Sequence, residues 1–251
     1  MSAPPPLQNE LRFWPELARL LTDPVFRDPT PAPGHRRERR PVLLIPGFLA
    51  GDASLMVLAG WLRRRGHAVR TSGIRFNVGC SGRALERLDA VLEAFDEPVV
   101  LIGQSRGGTL ARALAAGRPD AVAALVTLGS PVLDPLAVTP PVLRTVRSVA
   151  FLGDLGVRWM FSTECRDGEC CSEFRAMLRR PLSSGARALA VYSRTDAIVD
   201  WRACLDPDAE WVEIDGSHCG MAVNAGVYRE LERLLEGVDD APRAEEATWS
   251  R

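Results

Sequence analysis

The sequence predicts an α/β protein, a mostly parallel β-sheet flanked by helices, with an insertion over the carboxyl edge of the sheet. Short apolar runs alternate with stretches of helical spacing, the rhythm of successive βα units. The runs are apolar at consecutive positions, as strands buried on both faces require. The pentapeptide Gly103-Gln104-Ser105-Arg106-Gly107 ends one such run and opens a helix.

The chain of 251 residues suits one large domain with a substantial core. Hydrophobic residues are 46% and charged residues 25%, an ordinary globular mixture. The formal net charge of −1 provides no whole-molecule field to attract nucleic acid or anionic lipid, so neither is expected as a partner. No run reaches the roughly eighteen apolar residues of a bilayer span, and the amino terminus lacks a basic segment followed by an apolar one. A cytoplasmic protein without stable membrane insertion is expected; the oligomeric state is not legible.

Taken in order, residues 1–40 form a lead-in. Leu11, Trp14, Leu17, Leu20 and Leu21 have helical spacing and are expected to pack on the main domain, with Pro15 as the first residue of a short helix. Residues 28–34, rich in proline, read as a linker, followed by solvated arginines. A core begins at 41 and runs to 132. Residues 41–46 are a buried strand, 53–65 a helix, 66–71 a second strand and 83–95 a second helix. Residues 98–102 form the strand before the pentapeptide, 108–116 the helix after it, and 123–128 the next strand. From 133 to 186 the rhythm lapses, and this stretch is expected to be a cap or lid. Its Leu133, Leu136, Val138, Phe151, Leu152 and Trp159 suit either a satellite core or an apolar substrate face. The core resumes from 187 to 238 with strands at 187–192 and 211–214 and a helix at 224–235; residues 239–251 are expected to be a flexible tail.

The strand–turn–helix setting makes Ser105 a nucleophile-elbow serine. The turn forces its backbone into a strained conformation, and a Cβ two residues to either side would clash, hence Gly103 and Gly107. A serine hydroxyl needs a base. The chain has three histidines. His35 lies in the linker and His67 at the start of a strand, where surface or capping roles suffice. His218, in a loop just beyond the last strand, is placed to reach the elbow. Asp196 and Asp200 both follow the strand at 187–192. Asp196 lies nearer the strand end, in the chain order serine, acid, histidine, whereas Asp200 before Trp201 suits a helix N-cap.

With Pro46-Gly47-Phe48, the elbow, Leu128-Gly129-Ser130-Pro131, Ser193-Arg194-Thr195-Asp196 and Gly216-Ser217-His218, residues 41–235 resemble the α/β-hydrolase superfamily, and more narrowly its small bacterial lipase/esterase branch. The resemblance implies the α/β-hydrolase fold, with the cap after the strand that follows the nucleophile helix. It implies Ser105 as nucleophile, His218 as base and then acid, and Asp196 as the orienting acid. The oxyanion hole would be the backbone N–H groups of Arg106 and of Phe48, with Leu49 the alternative to Phe48. Leu49, Leu133 and Trp159 are expected to meet substrate. The Arg106 side chain is weighed between a substrate carboxylate and a flank salt bridge, and Cys219 is expected to be a small packing residue. The implied activity is cofactor-free hydrolysis of a small-molecule carboxylic ester through an acyl-enzyme. An acyltransferase or thioesterase with the same triad, a cofactor-free lyase or perhydrolase, and a non-catalytic binding module remain as alternatives.

Six cysteines stand outside this chemistry: Cys80, Cys165, Cys170, Cys171, Cys204 and Cys219. Reduced thiols are expected. In an oxidising compartment the 165–171 segment would close a small disulfide loop. Zinc is the third reading, but three clustered thiols lack an obvious fourth ligand, so no metal is expected.

Overall fold

The computed structural model describes residues 5–28, 39–183 and 187–240. Its centre is a six-stranded sheet with every strand parallel to its neighbours. The strands are β1 (Val42–Ile45), β2 (Val69–Thr71), β3 (Val99–Gln104), β4 (Val122–Leu128), β5 (Arg187–Tyr192) and β6 (Glu210–Glu213), in the order β2-β1-β3-β4-β5-β6. The central strands are the apolar runs of the sequence, and all of β1 and β3 is buried. The edge strand β2 is shorter than residues 66–71 suggested and only half-buried.

The pleat sorts the side chains of β1 to opposite faces. Val42 and Leu44 join Leu20 of α1 (Phe13–Thr22), Leu58 and Trp61 of α2 (Met56–Arg64), and Tyr228 and Leu231 of the C-terminal helix. Leu43 and Ile45 join Leu85 and Leu88 of α3 (Ser81–Leu92) and Leu110 and Leu114 of α4 (Arg106–Gly117) on the other face. α5 (Pro140–Asp154) leaves Phe151 and Leu152 exposed. α6 (Ser172–Arg179) puts Phe174 and Leu178 into the second core against α3 and α4. α7 (Ala225–Asp239) closes the first core and is N-capped by Asn224, whose side chain accepts from the Gly226 N–H.

Three expectations change. α6, which the sequence placed within the cap, packs on the flank of the sheet, with its apolar face drawn into the core. Pro15 is the third residue of α1, still within the first turn, where the missing N–H removes no helical hydrogen bond. Of the lead-in stripe, Leu20 is buried and Leu17 packs against the core, but Leu11, Trp14 and Leu21 are exposed. The linker at 29–38, with His35, and the tail beyond 240 lie outside the described residues.

α4 is tied to the β5–β6 connection by a buried ion cluster. The Arg112 guanidinium donates to Asp206 (2.5 Å), Asp208 (2.9 Å) and the Arg180 carbonyl (2.8 Å). Both Arg112 and Asp206 are almost wholly removed from solvent, so deleting one partner strands a buried charge. Arg112→Met should therefore lose about 3–5 kcal/mol of unfolding free energy in a urea titration; a loss below about 1 kcal/mol would contradict this role for the cluster.

Candidate active site

β3 ends in a turn whose backbone settles where Ser105 stands. Ser105 has φ 53° and ψ −124°, one of two non-glycine residues with positive φ among those described, the other being Leu49. Such a conformation costs about 1–3 kcal/mol and persists only where the surroundings enforce it. Here they do. A Cβ on Gly103 would stand 2.5 Å from the Gly107 carbonyl oxygen and the Gly108 Cα. One on Gly107 would overlap the carbonyl oxygens of Ile45 and Pro46, and one on Gly108 would overlap Ser130. The Ser105 N–H donates to the Leu128 carbonyl (2.8 Å), fixing the turn to β4. Ser105 is left half-buried at the carboxyl edge, at the start of α4.

His218 lies in the loop after β6, with its Nδ1 2.6 Å from Asp196 Oδ2; both side chains are buried. The other carboxylate oxygen of Asp196 accepts from the N–H groups of Ile198 and Val199 (both 2.8 Å). With Asp196 accepting at Nδ1, the neutral imidazole carries its proton there and its lone pair on Nε2. Asp200 is half-exposed and caps the turn Trp201–Cys204 by accepting from the Arg202 N–H (3.1 Å). The Gln104 side chain, next to the elbow, donates to the His218 carbonyl (3.0 Å). Gly129 backs the imidazole: with φ +55°, a Cβ there would stand 3.1 Å from His218 Nδ1. The Ser105 hydroxyl and His218 Nε2 are not hydrogen-bonded in this structure. Such contacts commonly tighten only when substrate is bound.

The loop after β1 passes directly against the elbow; a Cβ on Gly47 would lie 3.2 Å from Ser105 Cβ. Asn77 holds this loop, donating from its side chain to the Pro46 carbonyl (2.7 Å) and from its backbone to the Ala50 carbonyl (2.8 Å). Neither the Phe48 nor the Leu49 N–H has a partner among the described residues. Among the described residues the Arg106 guanidinium makes no carboxylate contact. It donates to the carbonyls of Asn77 (3.2 Å) and Gly79 (2.5 Å) and to Ser81 Oγ (3.0 Å), and lies 5.2 Å from the Phe161 ring centroid. Burial pushes its pKa down to about 10, against the pull of nearby cysteine sulfurs, so it stays charged at neutral pH. This structural use replaces both roles weighed from the sequence. Leu49, Leu133 and Trp159 are exposed by 40%, 58% and 58%; Trp159 packs beside Phe76, and Phe161 beside Phe48.

The sequence missed the contribution of the lead-in. The Glu10 carboxylate accepts from the N–H groups of Ala197 (3.1 Å), His218 (3.2 Å) and Cys219 (2.8 Å), joining the loops of the acid and the histidine. Glu16, buried within α1, accepts from Ser217 N–H (2.8 Å) and Oγ (3.1 Å). Arg12 pairs with Asp215 (2.8 Å). No local pattern marks these carboxylates; the only signal was acidic residues within an otherwise apolar stripe. Cys219 is exposed rather than packed, and His67 is buried rather than at the surface, its Nδ1 against the Arg40 carbonyl.

Comparisons with known proteins agree on the architecture. Residues 64–159 match the family described as alpha/beta hydrolase fold. Among solved structures, the mouse alpha/beta hydrolase domain-containing protein 10 is similar at 19% identity and TM-score 0.57, covering 82% of this chain and 92% of its own. A Bacillus licheniformis lipase in mature form is similar at 14% identity and TM-score 0.56, covering 82% of this chain and 94% of its own. A thioesterase domain from the curacin biosynthetic pathway is similar at 17% identity and TM-score 0.50, covering 79% of this chain and 90% of its own. At such identities the likeness is one of fold.

Burial disfavours the charged form of His218, but the Asp196 charge, its hydrogen bond and the more distant Glu10 outweigh this, leaving the pKa above 6.5. The resulting stability is fully present below the unfolded-state pKa and lost as pH rises through the folded-state value. An NMR titration should place the His218 imidazole above 6.5, and Asp196→Asn should move it below, because burial then acts with little opposition. An unchanged pKa in Asp196→Asn would contradict the pairing.

Proposed function

We propose that this chain, which has the α/β-hydrolase fold, is a serine hydrolase that cleaves carboxylic esters through an acyl-enzyme. One observation carries the reading: the strained elbow serine and the buried His218–Asp196 pair (2.6 Å) stand on loops of the same sheet edge, linked through Gln104. Strained non-glycine backbone and buried, paired ionisable groups cluster at functional sites.

In the proposed mechanism His218 Nε2 takes the Ser105 proton as Oγ attacks the ester carbonyl carbon. The carbonyl electron pair moves to oxygen, and that oxyanion accepts from the N–H groups of Phe48 and Arg106. Arg106 is the first residue of α4, where helix N–H groups lack intrahelical partners and the dipole favours negative charge. The tetrahedral species collapses, the C–O bond breaks, and the alcohol leaves with the proton from His218. Water then gives a proton to His218, attacks the acyl carbon and releases the acid, and the proton returns to Ser105. The base must be neutral, so activity is expected to rise with pH through the raised His218 pKa. The exposed apolar residues Leu49, Leu133 and Trp159, with Phe48 and Phe161 beside the elbow, favour an apolar acyl or ring group.

A fluorophosphonate probe should label Ser105, and Ser105→Ala should abolish labelling and lower kcat on an activated ester by about a million-fold. Asp196→Asn should cost about ten-thousand-fold, while Asp200→Asn costs little because asparagine also caps. Longer or bulkier acyl esters should be preferred to acetyl esters. An active Ser105→Ala enzyme, or a folded wild type that neither labels nor turns over any ester, would overturn the reading; the latter would favour a binding module.

A further inference from the structure

Outside the triad, four cysteine sulfurs converge on one point. Cys80, at the turn into α3, meets Cys165, Cys170 and Cys171 from the segment before α6, and all four Sγ atoms lie within 4.8 Å of one another. Cys80 to Cys171 is 3.3 Å, Cys165 to Cys170 is 3.5 Å and Cys170 to Cys171 is 3.9 Å. Four thiolates around one zinc ion at about 2.3 Å stand about 3.8 Å apart along each tetrahedral edge. A disulfide needs about 2.05 Å. We propose that Cys80, Cys165, Cys170 and Cys171 form a structural zinc site. Cys80 is the fourth ligand that the sequence cluster lacked, supplied from 85 residues upstream of Cys165.

The surroundings suit a site with two excess negative charges, four thiolates against one divalent cation. Cys80 is the N-cap residue of α3, whose first turn holds Gly82 and Arg83. A helix N-terminus directs its free amides and positive dipole end at an anion. The Arg106 guanidinium lies close enough to Cys80, Cys165 and Cys171 to interact with their charge. The backbone is shaped for the approach. A Cβ on Gly82 would overlap the Cys170 carbonyl. The turn that carries Cys165 and Cys170 is closed by the Gly168 N–H to the Glu164 carbonyl (2.5 Å) and by Arg175 donating to the carbonyls of Arg166 (3.0 Å) and Gly168 (2.8 Å). An iron–sulfur cluster, in which thiolates bind different irons, needs its sulfurs further apart than these. With four protein ligands the zinc keeps no open position, the mark of a structural rather than catalytic ion.

The ion would staple the loop before α3 to the inserted segment. That loop carries Asn77, which holds the 46–50 loop, and the carbonyls gripped by Arg106. The consequence for the oxyanion hole rests on the proposed hydrolase reading; zinc binding does not.

The full chain, purified under reducing conditions without chelator, should contain about one zinc per molecule by elemental analysis, and native mass spectrometry should show the same adduct. In the folded protein the exposed Cys170 should react with a thiol reagent only after zinc is removed by a chelator. Cys80→Ser and Cys171→Ser should lose zinc affinity by more than the about 10–100-fold typical of outer-shell changes, and Cys219→Ser should retain the metal. If the serine variants fail to fold, the wild-type zinc content and Cys170 protection still decide. Wild type that stays metal-free after one equivalent of zinc is added, a mass lower by four hydrogens from two disulfides, or iron with inorganic sulfide would each overturn the site. Stoichiometric zinc in a protein with no esterase activity would uphold the site and count against the hydrolase reading.

Discussion

The close approach of α4 to the end of β1 is the constraint on which the site depends. With hydrogen at the Gly107 Cα, the helix backbone can lie against the Ile45 and Pro46 carbonyls, and Gly103 permits the matching approach within the elbow. The chain can reach that packing only through a turn that sends Ser105 to positive φ. Three placements follow at once. The serine is lifted to the sheet edge, the first turn of α4 lies against the end of β1, and Gly47 is drawn against Ser105 Cβ. The strain is local, whereas the burial that enforces it is spread over two cores, so the fold sustains a serine conformation that an isolated turn would not.

The histidine depends on longer connections. Its loop is held by polar groups from three directions. Asp196 holds the ring, Gln104 holds the backbone carbonyl, and Glu10 holds the backbone N–H. Glu10 also accepts from Ala197, so one carboxylate sets the spacing between the acid loop and the histidine loop. The lead-in, whose residues 29–38 are outside the described structure, thereby acts on the site through α1 and the turn before it as well as by packing.

What could be read in the sequence was what neighbouring residues decide. The apolar runs became strands because both faces of the sheet are covered, and Gly103, Ser105 and Gly107 defined the elbow because the constraint lies within five residues. Asp200 before Trp201 was legible as a cap for the same reason, and the structure puts its carboxylate on the Arg202 N–H. What could not be read depends on distant partners. Glu10 and Glu16 look like the solvated face of a helix until the 215–220 loop is placed over them. Cys80 is an isolated thiol until α3 is set against the segment at 165–171. α6 seemed part of a cap because prolines and cysteines obscured the rhythm before it, and only packing against α3 and α4 assigns it to the core. The Arg106 side chain followed the same rule: its partners are carbonyls of a loop that no spacing predicts.

The central claim is that the elbow and the loop after β1 are built around an oxyanion at Ser105. A crystal structure of the phosphonylated protein tests it most directly. The account predicts phosphorus bonded to Ser105 Oγ, with its phosphoryl oxygen accepting from the Arg106 and Phe48 N–H groups at about 2.7–3.1 Å, and His218 Nε2 within hydrogen-bond reach of Oγ. A phosphoryl oxygen turned to solvent with both amides unengaged, or phosphorus on another residue, would contradict it.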